Sequence, residues 1–439
     1  MEETTVTVKE FLKLDSEIRK KTSCAAPSCF ISFSDDDKKC AAAMEAAKKA
    51  LETETEDGDA YLLKGKLLAS SGDFSKAEEC FKDGLHLTKD KNLFLFCIAD
   101  IQYNRGDIEE AEATIKTASA DYPYVSLMLG RLYFSADKLK ESEKEYKKAI
   151  SAIKKCAEAH VGLGGVYVTM GNLKKAASEH KSAILINPNY SDARSGKAWI
   201  CYFMNDFKSA EKHFLKSAEI SPNQPDNYIG LGWVYYKLER YSDAKKEFLK
   251  AAEINPKDPD AFIGLGWSDY QKRAVSRANL LDAEGYFRKA AELNPQYADT
   301  HIGLGWACSE LDRLKDAEKS FLKALEIHPE YDDVYVGLGW VQYKNKKFIE
   351  AEKSFKKAAE LDPKDPDSYV GLAWTAFMQD EFKYAEKHFL SALKNQPGHK
   401  EASVGLGEVY LKIGNTTKAK KYLGKIKSPD KKIKYGKQI

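Results

Sequence analysis

The chain has 439 residues, 31% of them charged, yet 69 Lys and Arg against 67 Asp and Glu leave a net charge of only +2. That balance speaks against a general nucleic-acid or membrane-surface binder, while leaving local patches open. Apolar runs are short and the opening Met1-Glu2-Glu3 is acidic, so neither a signal peptide nor a spanning helix is expected.

Between Val8 and Lys20, the residues Val8, Phe11, Leu12, Leu14 and Ile18 recur at helical spacing. Thr22 to Phe33, with Pro27, reads as a connection. Ser34 followed by Asp35, Asp36 and Asp37 then starts an Ala-rich helix running to about Glu52, its acids favouring the positive end of the dipole. Residues 1–57 thus form a degenerate helix pair that caps the first face of a longer array.

From Gly58 the chain is periodic. The stretch Ile229-Gly230-Leu231-Gly232-Trp233 returns as Ile263-Gly264-Leu265-Gly266-Trp267, Ile302-Gly303-Leu304-Gly305-Trp306 and Val336-Gly337-Leu338-Gly339-Trp340, and more faintly as Val370-Gly371-Leu372-Ala373-Trp374. All six tryptophans, Trp199, Trp233, Trp267, Trp306, Trp340 and Trp374, keep this register in steps of 34, 34, 39, 34 and 34 residues. The prolines from Pro188 to Pro397 keep the same period and share the 39-residue irregularity, so two independent markers define a repeat protein.

Eleven units begin near Gly58, Asn92, Pro123, Ala157, Ser191, Pro225, Pro259, Ala298, Asp332, Pro366 and Lys400, and the array runs over residues 58–426. Each reads as two antiparallel helices. From Pro225 onward, Tyr228, Leu231, Gly232 and Tyr235 share one helical face, Ala244, Phe248 and Ala251 share the next, and Pro256 ends the second helix. The five extra residues of the long unit fall between Tyr270 and Ala283, around Lys272, Arg273 and Arg277. They are either a tolerated insertion between its two helices or a basic contact point. Residues 427–439 are a basic tail.

The 34-residue period, the Tyr228/Leu231/Gly232/Tyr235 set, the Ala244/Phe248/Ala251 set and the closing Pro256 together resemble the tetratricopeptide repeat over roughly Gly58 to Ile426. The resemblance implies an all-α right-handed superhelical solenoid with the first helix of each pair on its inner wall, where ligands lie. It also implies a non-catalytic protein-binding scaffold or adaptor.

On that reading the tryptophans take the ninth place of six consecutive units, on the concave face, with aromatic residues one turn on at Tyr202, Tyr236, Tyr270, Tyr343 and Phe377. Either the indoles contact a ligand as well as packing, or each simply fills the space beside glycines such as Gly230, Gly264 and Gly371, which need a reason because glycine costs a helix interior about 1 kcal/mol. Half-exposed indoles on six units would make a stripe of about 600 Å², large enough to suggest a partner. Asp226, Asp260, Asp299 and Asp333, with Asp192 and Asp367, take the second place, with Glu158 and Glu401 as outer members of the row. They either cap or charge first turns, or form an acidic rim that selects Lys or Arg beside the indoles.

Family members that clamp chaperone C-terminal tails use inner-wall Lys, Asn and Arg, whereas here the fifth places are apolar and only Lys66 and Arg131 put cations at ninth places, separated by Asp100. Chaperone tails are therefore not expected partners. The eight cysteines, at Cys24, Cys29, Cys40, Cys80, Cys97, Cys156, Cys201 and Cys308, lack a disulfide framework or paired zinc spacing, which fits a reducing, cytoplasmic setting without metal. Histidines such as His180 sit at core or surface places, and no phosphate loop or nucleophile elbow can be placed, so neither enzyme activity nor a cofactor is expected. Beside the scaffold stand a self-associating structural module and a non-catalytic carbohydrate or small-ligand binder stacking rings on the indoles.

Overall fold

The computed structural model describes residues 7–22, 28–30, 37–53, 57–271 and 276–423. Among them are twenty-four α-helices and no strand. The chain divides into two compact blocks, Met1–Leu238 and Glu239–Ile439. The first holds α1 (Val8–Thr22), α2 (Asp37–Thr53), α3 (Gly58–Ser70), α4 (Phe74–Leu85), α5 (Lys91–Arg105), α6 (Ile108–Lys116), α7 (Tyr124–Ser135), α8 (Leu139–Ala152), α9 (Ala157–Thr169), α10 (Leu173–Ile186), α11 (Ser191–Phe203), α12 (Phe207–Ile220) and α13 (Pro225–Lys237). The second holds α14 (Tyr241–Ile254), α15 (Pro259–Tyr270), α16 (Arg277–Leu293), α17 (Ala298–Glu310), α18 (Leu314–Ile327), α19 (Asp332–Lys344), α20 (Phe348–Leu361), α21 (Pro366–Met378), α22 (Phe382–Asn395), α23 (Lys400–Lys412) and α24 (Thr416–Leu423). Within each block helices pair in sequence, and in the second block the first helices α15, α17, α19, α21 and α23 each touch the next, so they form one continuous wall.

Local chemistry sets the ends. Proline opens α13, α15 and α21, where its missing N–H would have had no partner in the helix. Asp258 and Asp365 cap α15 and α21 by accepting backbone N–H bonds from Asp260 and from Asp367 and Ser368. Described turns inside pairs reverse through a left-handed residue, which is glycine at Gly72, Gly106 (φ 94°), Gly171 and Gly414 but Asp137, Asn205, Asp312, Lys346 and Asp380 in other pairs, an arrangement that composition did not suggest.

The core explains the recurring Gly-Leu-Gly stretch. Phe214, Phe248, Phe287, Phe321, Phe355 and Phe389, one per second helix, are all fully buried. Phe287 is wedged between two glycines: a Cβ on Gly266 of its own pair would lie 2.6 Å from the ring, and one on Gly303 of the next pair 2.3 Å. Phe321 is held in the same way by Gly305 and Gly337, and Phe355 by Gly339 and Gly371. The first glycine therefore admits the ring of the preceding pair and the second the ring of its own. Neither makes room for an indole, which corrects the expectation that these glycines serve the tryptophans.

The long unit is only partly explained by its connection. Helix α16 has 17 residues where its neighbours have 14, and it starts with a capping box in which Ser276 and Asn279 satisfy each other's backbone N–H. Some of the added length is thus helix, while Lys272 and Arg273 lie outside the described residues. The basic tail 427–439 and Cys24 lie outside them as well. No helix of the described residues is long and apolar enough to cross a membrane.

Candidate protein-interaction site

In the second block the wall of first helices carries a cavity of about 850 Å³ lined by Trp267, Trp306 and Trp340, by Ile302 and Val336, and by Asp299, Asp332, Asp333, Asp367 and Glu401, with Tyr331 at its edge. Apart from Asp332, which opens its helix, and Tyr331 just before it, these are second, fifth and ninth places of successive pairs. Helical spacing accounts for the grouping, because residues three and four apart share a face and the touching first helices set those faces side by side.

The indoles are less exposed than expected. Trp340 and Trp374 are each 4% exposed, while Trp199, Trp233, Trp267 and Trp306 are partly buried, so none is half exposed. Five of the six, Trp199, Trp267, Trp306, Trp340 and Trp374, pack on their own pair's core ring. The contacts are edge-on, with centroids 5.2 Å apart for Trp199 and Phe214, 5.3 Å for Trp267 and Phe287, 5.4 Å for Trp306 and Phe321, 5.1 Å for Trp340 and Phe355, and 5.3 Å for Trp374 and Phe389. The ladder is therefore structural in part everywhere, and open to solvent most at its partly buried members.

The twelfth-place aromatics pack against the indole ladder. Tyr202, Tyr236, Tyr270, Tyr343 and Phe377 lie edge-on to the indole three residues earlier, at 5.5 to 5.6 Å. Tyr202, Tyr343 and Phe377 also meet the phenylalanine that opens the following helix, and none of the five lines the cavity. Tyr202, Tyr343 and Phe377 thus span the joint between the two helices of their pair instead of standing free on a ligand face, and Tyr270 packs against the Trp267 indole outside the cavity lining.

The acids divide. Asp226, Asp260, Asp299 and Asp333 lie in first turns but do not cap them, since each helix is capped or preceded by the residue before its first. Asp299 and Asp333 line the cavity, whereas Asp226 is exposed on the first block and Asp260 stands beside Asp299 without lining it. Burial, and then the neighbouring Asp260, hold the Asp299 carboxyl above its ordinary range; burial and Asp332 do the same to Asp333. Sequence reasoning left Glu401 as an outer member of the row and passed over Asp332. Both are in the lining.

Glu401 is pushed up to about 7 by burial and by Asp367, against the opposite influence of His399 and the Trp374 indole; Tyr343 faces it too. The folded chain thus holds this proton more tightly than the unfolded one, so the Glu401 contribution to stability falls as pH rises from about 4.5 through about 7. His399, raised chiefly by its bond to Asp367, acts in the same sense, and His388, lowered to about 4 by burial, in the opposite sense below 6.5. A comparison with Glu401→Gln cancels His388, which Glu401 does not influence, and leaves the coupling of His399 to Glu401 inside the measured difference. Wild type and variant are expected to unfold at closely similar temperatures near pH 4, with the variant increasingly more stable up to pH 8; a pH-independent difference would contradict the assignment.

The first block uses the same places differently. The ninth-place Lys66 donates to Asp15 of α1 at 2.8 Å, both side chains buried. Asp100 accepts the Cys29 N–H at 3.0 Å and is held by Arg131 at 3.0 Å, while the Cys97 thiol meets the Ser28 carbonyl at 3.7 Å and Cys29 is fully buried. Thus the chain lays its own α1 and Ser28–Phe30 against the first-helix places of α3, α5 and α7. The two inner-wall cations are engaged within the chain. Elsewhere in this block Trp199 stacks on the exposed Phe203 at 6.2 Å.

Histidines and cysteines are filler or surface. His180, 4% exposed, fills the phenylalanine place, is lowered to about 4 by burial, and bonds the Ala193 carbonyl through Nδ1 at 3.2 Å. Cys29, Cys40, Cys80, Cys97, Cys156, Cys201 and Cys308 are free thiols. No group of three or more His, Cys, Asp or Glu among the described residues is placed to hold a metal.

Comparison with known proteins agrees with this architecture. Models of the tetratricopeptide repeat match residues 62–126, 96–155, 191–224, 225–258, 272–332, 332–365 and 370–424. The chain belongs to the tetratricopeptide-repeat family, with its all-α solenoid fold. A chain of the crystal structure of the APC/C hetero-tetramer Cut9–Hcn1 aligns over 88% of this chain and 83% of its own, with a TM-score of 0.51 and 15% identity, a likeness of fold. A search of curated proteins found no match. Family and fold together support a protein-interaction scaffold in general terms.

Proposed function

We propose that the protein is a non-catalytic scaffold that holds an extended segment of a partner protein against the first-helix wall of its second block, along Trp267, Trp306 and Trp340. The observation that carries this reading is the 850 Å³ cavity, which falls within the roughly 300–1,000 Å³ of ligand-sized pockets and joins apolar walls to a few polar groups. The first block supplies a precedent in the same molecule, since a non-helical segment, Ser28–Phe30, already rests on equivalent places there. Aromatic anchors of this kind concentrate binding energy.

The test pans a random dodecapeptide library over the intact protein carrying a photo-crosslinking amino acid at Ile302, in the cavity, or at Ile349, 64% exposed on α20. Retained peptides are expected to cross-link from position 302 and not from 349. Retention of no peptide, or cross-links from 349 alone, would overturn the proposal.

A further inference from the structure

We infer that the cavity of the second block is a seat for an arginine side chain, so that the partner segment is basic; this rests on the proposed groove. Five carboxylates, Asp299, Asp332, Asp333, Asp367 and Glu401, line one cavity whose lining residues include no lysine or arginine. His399 does not cancel them. Its Nδ1 accepts the Ala402 N–H at 3.2 Å to cap α23 and its Nε2 donates to Asp367 at 3.1 Å, and even the protonated imidazole that Asp367 favours offsets only one of the five carboxylates.

An unmet hydrogen bond at the cavity wall points the same way. Glu401 Oε1 and Trp374 Nε1, the latter in a residue 4% exposed, are buried beside each other, close enough for the indole to lower the Glu401 carboxyl but without the geometry of a well-formed hydrogen bond. A buried carboxylate oxygen left without a well-formed hydrogen bond is costly, and a cationic donor entering the cavity would relieve both that and the mutual repulsion of the acids.

The chemistry of the walls selects the cation. The acids do not converge closely enough to share a metal ion. A guanidinium suits separated carboxylates better, because its planar fork of five N–H groups can reach more than one of them while its face lies on an indole, here the partly exposed Trp267 and Trp306. The cavity is also larger than one side chain needs, leaving room for flanking main chain beside Ile302 and Val336. Charge complementarity of this sort contributes to specificity and to the rate of association.

The experiment uses four fluorescein-labelled dodecapeptide libraries, randomised except for a sixth residue fixed as Arg, Lys, Gln or Glu, titrated against the full chain by anisotropy. The Arg pool is expected to bind at least tenfold more tightly than the Gln pool, more tightly than the Lys pool, and the Glu pool least. In Asp299→Asn with Asp333→Asn the Arg preference should fall to threefold or less with an unchanged helical signal, while the distant Asp243→Asn leaves it intact. Equal binding of Arg and Gln pools, or a preference that survives the double carboxamide, overturns the seat. Lysine equal to arginine overturns the guanidinium assignment. If panned peptides bind at position 302 without any charge preference, the seat fails and the groove reading stands; if no pool or panned peptide binds, both fail.

Discussion

Gly371→Ala is expected to destabilise the second block by about 2 kcal/mol, the cost of overpacking a filled core, although helix propensity alone predicts a gain of about 1 kcal/mol. The added Cβ would lie 2.2 Å from Cε1 of Phe355, with two more ring atoms at 2.4 and 2.5 Å, and that ring is fully buried between Gly339 and Gly371. It has nowhere to retreat. Gly339→Ala makes a sharper control than an unrelated site, because the equivalent place of the next pair is Ala373, which is fully buried on the same helix as Trp374. The fold thus already accommodates a methyl at the second glycine, and Gly339→Ala should cost less than half as much. Phe355→Leu should itself destabilise the block, yet combine with Gly371→Ala less than additively, since the smaller side chain removes the clash. Urea unfolding followed by far-UV circular dichroism measures the four variants beside wild type. A Gly371→Ala variant as stable as wild type would show that the ring is not confined as described.

The contrast between those two glycines also marks where sequence reasoning reached its limit. Periodicity made the helix pairs visible, because a ring at Phe248 and small residues at Ala244 and Ala251 recur on one face however the units curve. It could not say which ring a glycine faces. Gly230 and Trp233 are neighbours on one helix, so pairing them was natural, yet the ring that needs Gly230 is Phe214, sixteen residues earlier on the preceding helix. Contacts between Lys66 and Asp15, or Cys29 and Asp100, join segments 51 and 71 residues apart and occur once, so no repeat signal announces them. The grouping of second, fifth and ninth places follows from helical geometry and was legible. The depth of each indole was not: Trp306 and Trp340 occupy the same place of consecutive repeats, and only packing by their neighbours leaves one partly open and the other closed.

Trp267→Ala combined with Trp306→Ala is expected to weaken retention of library peptides at least tenfold, the loss of two aromatic anchors, and also to lower the stability of the second block by about 2–4 kcal/mol, below the full cost of truncating deeply buried tryptophans. The second effect follows from the edge contacts with Phe287 at 5.3 Å and Phe321 at 5.4 Å, which make these indoles part of the core even where they meet solvent. An alanine pair alone therefore cannot separate binding from folding. A phenylalanine pair can. Trp267→Phe with Trp306→Phe keeps an aromatic ring against each core phenylalanine and should recover most of the stability. It should recover only part of the affinity, because phenylalanine offers a smaller face and a weaker attraction for a cation than indole does. Affinity is compared per folded molecule, at a temperature where circular dichroism shows every variant folded. If the phenylalanine pair binds like wild type, and the alanine pair loses binding only in proportion to its unfolded fraction, the tryptophans are packing residues and the wall they line holds no ligand through them.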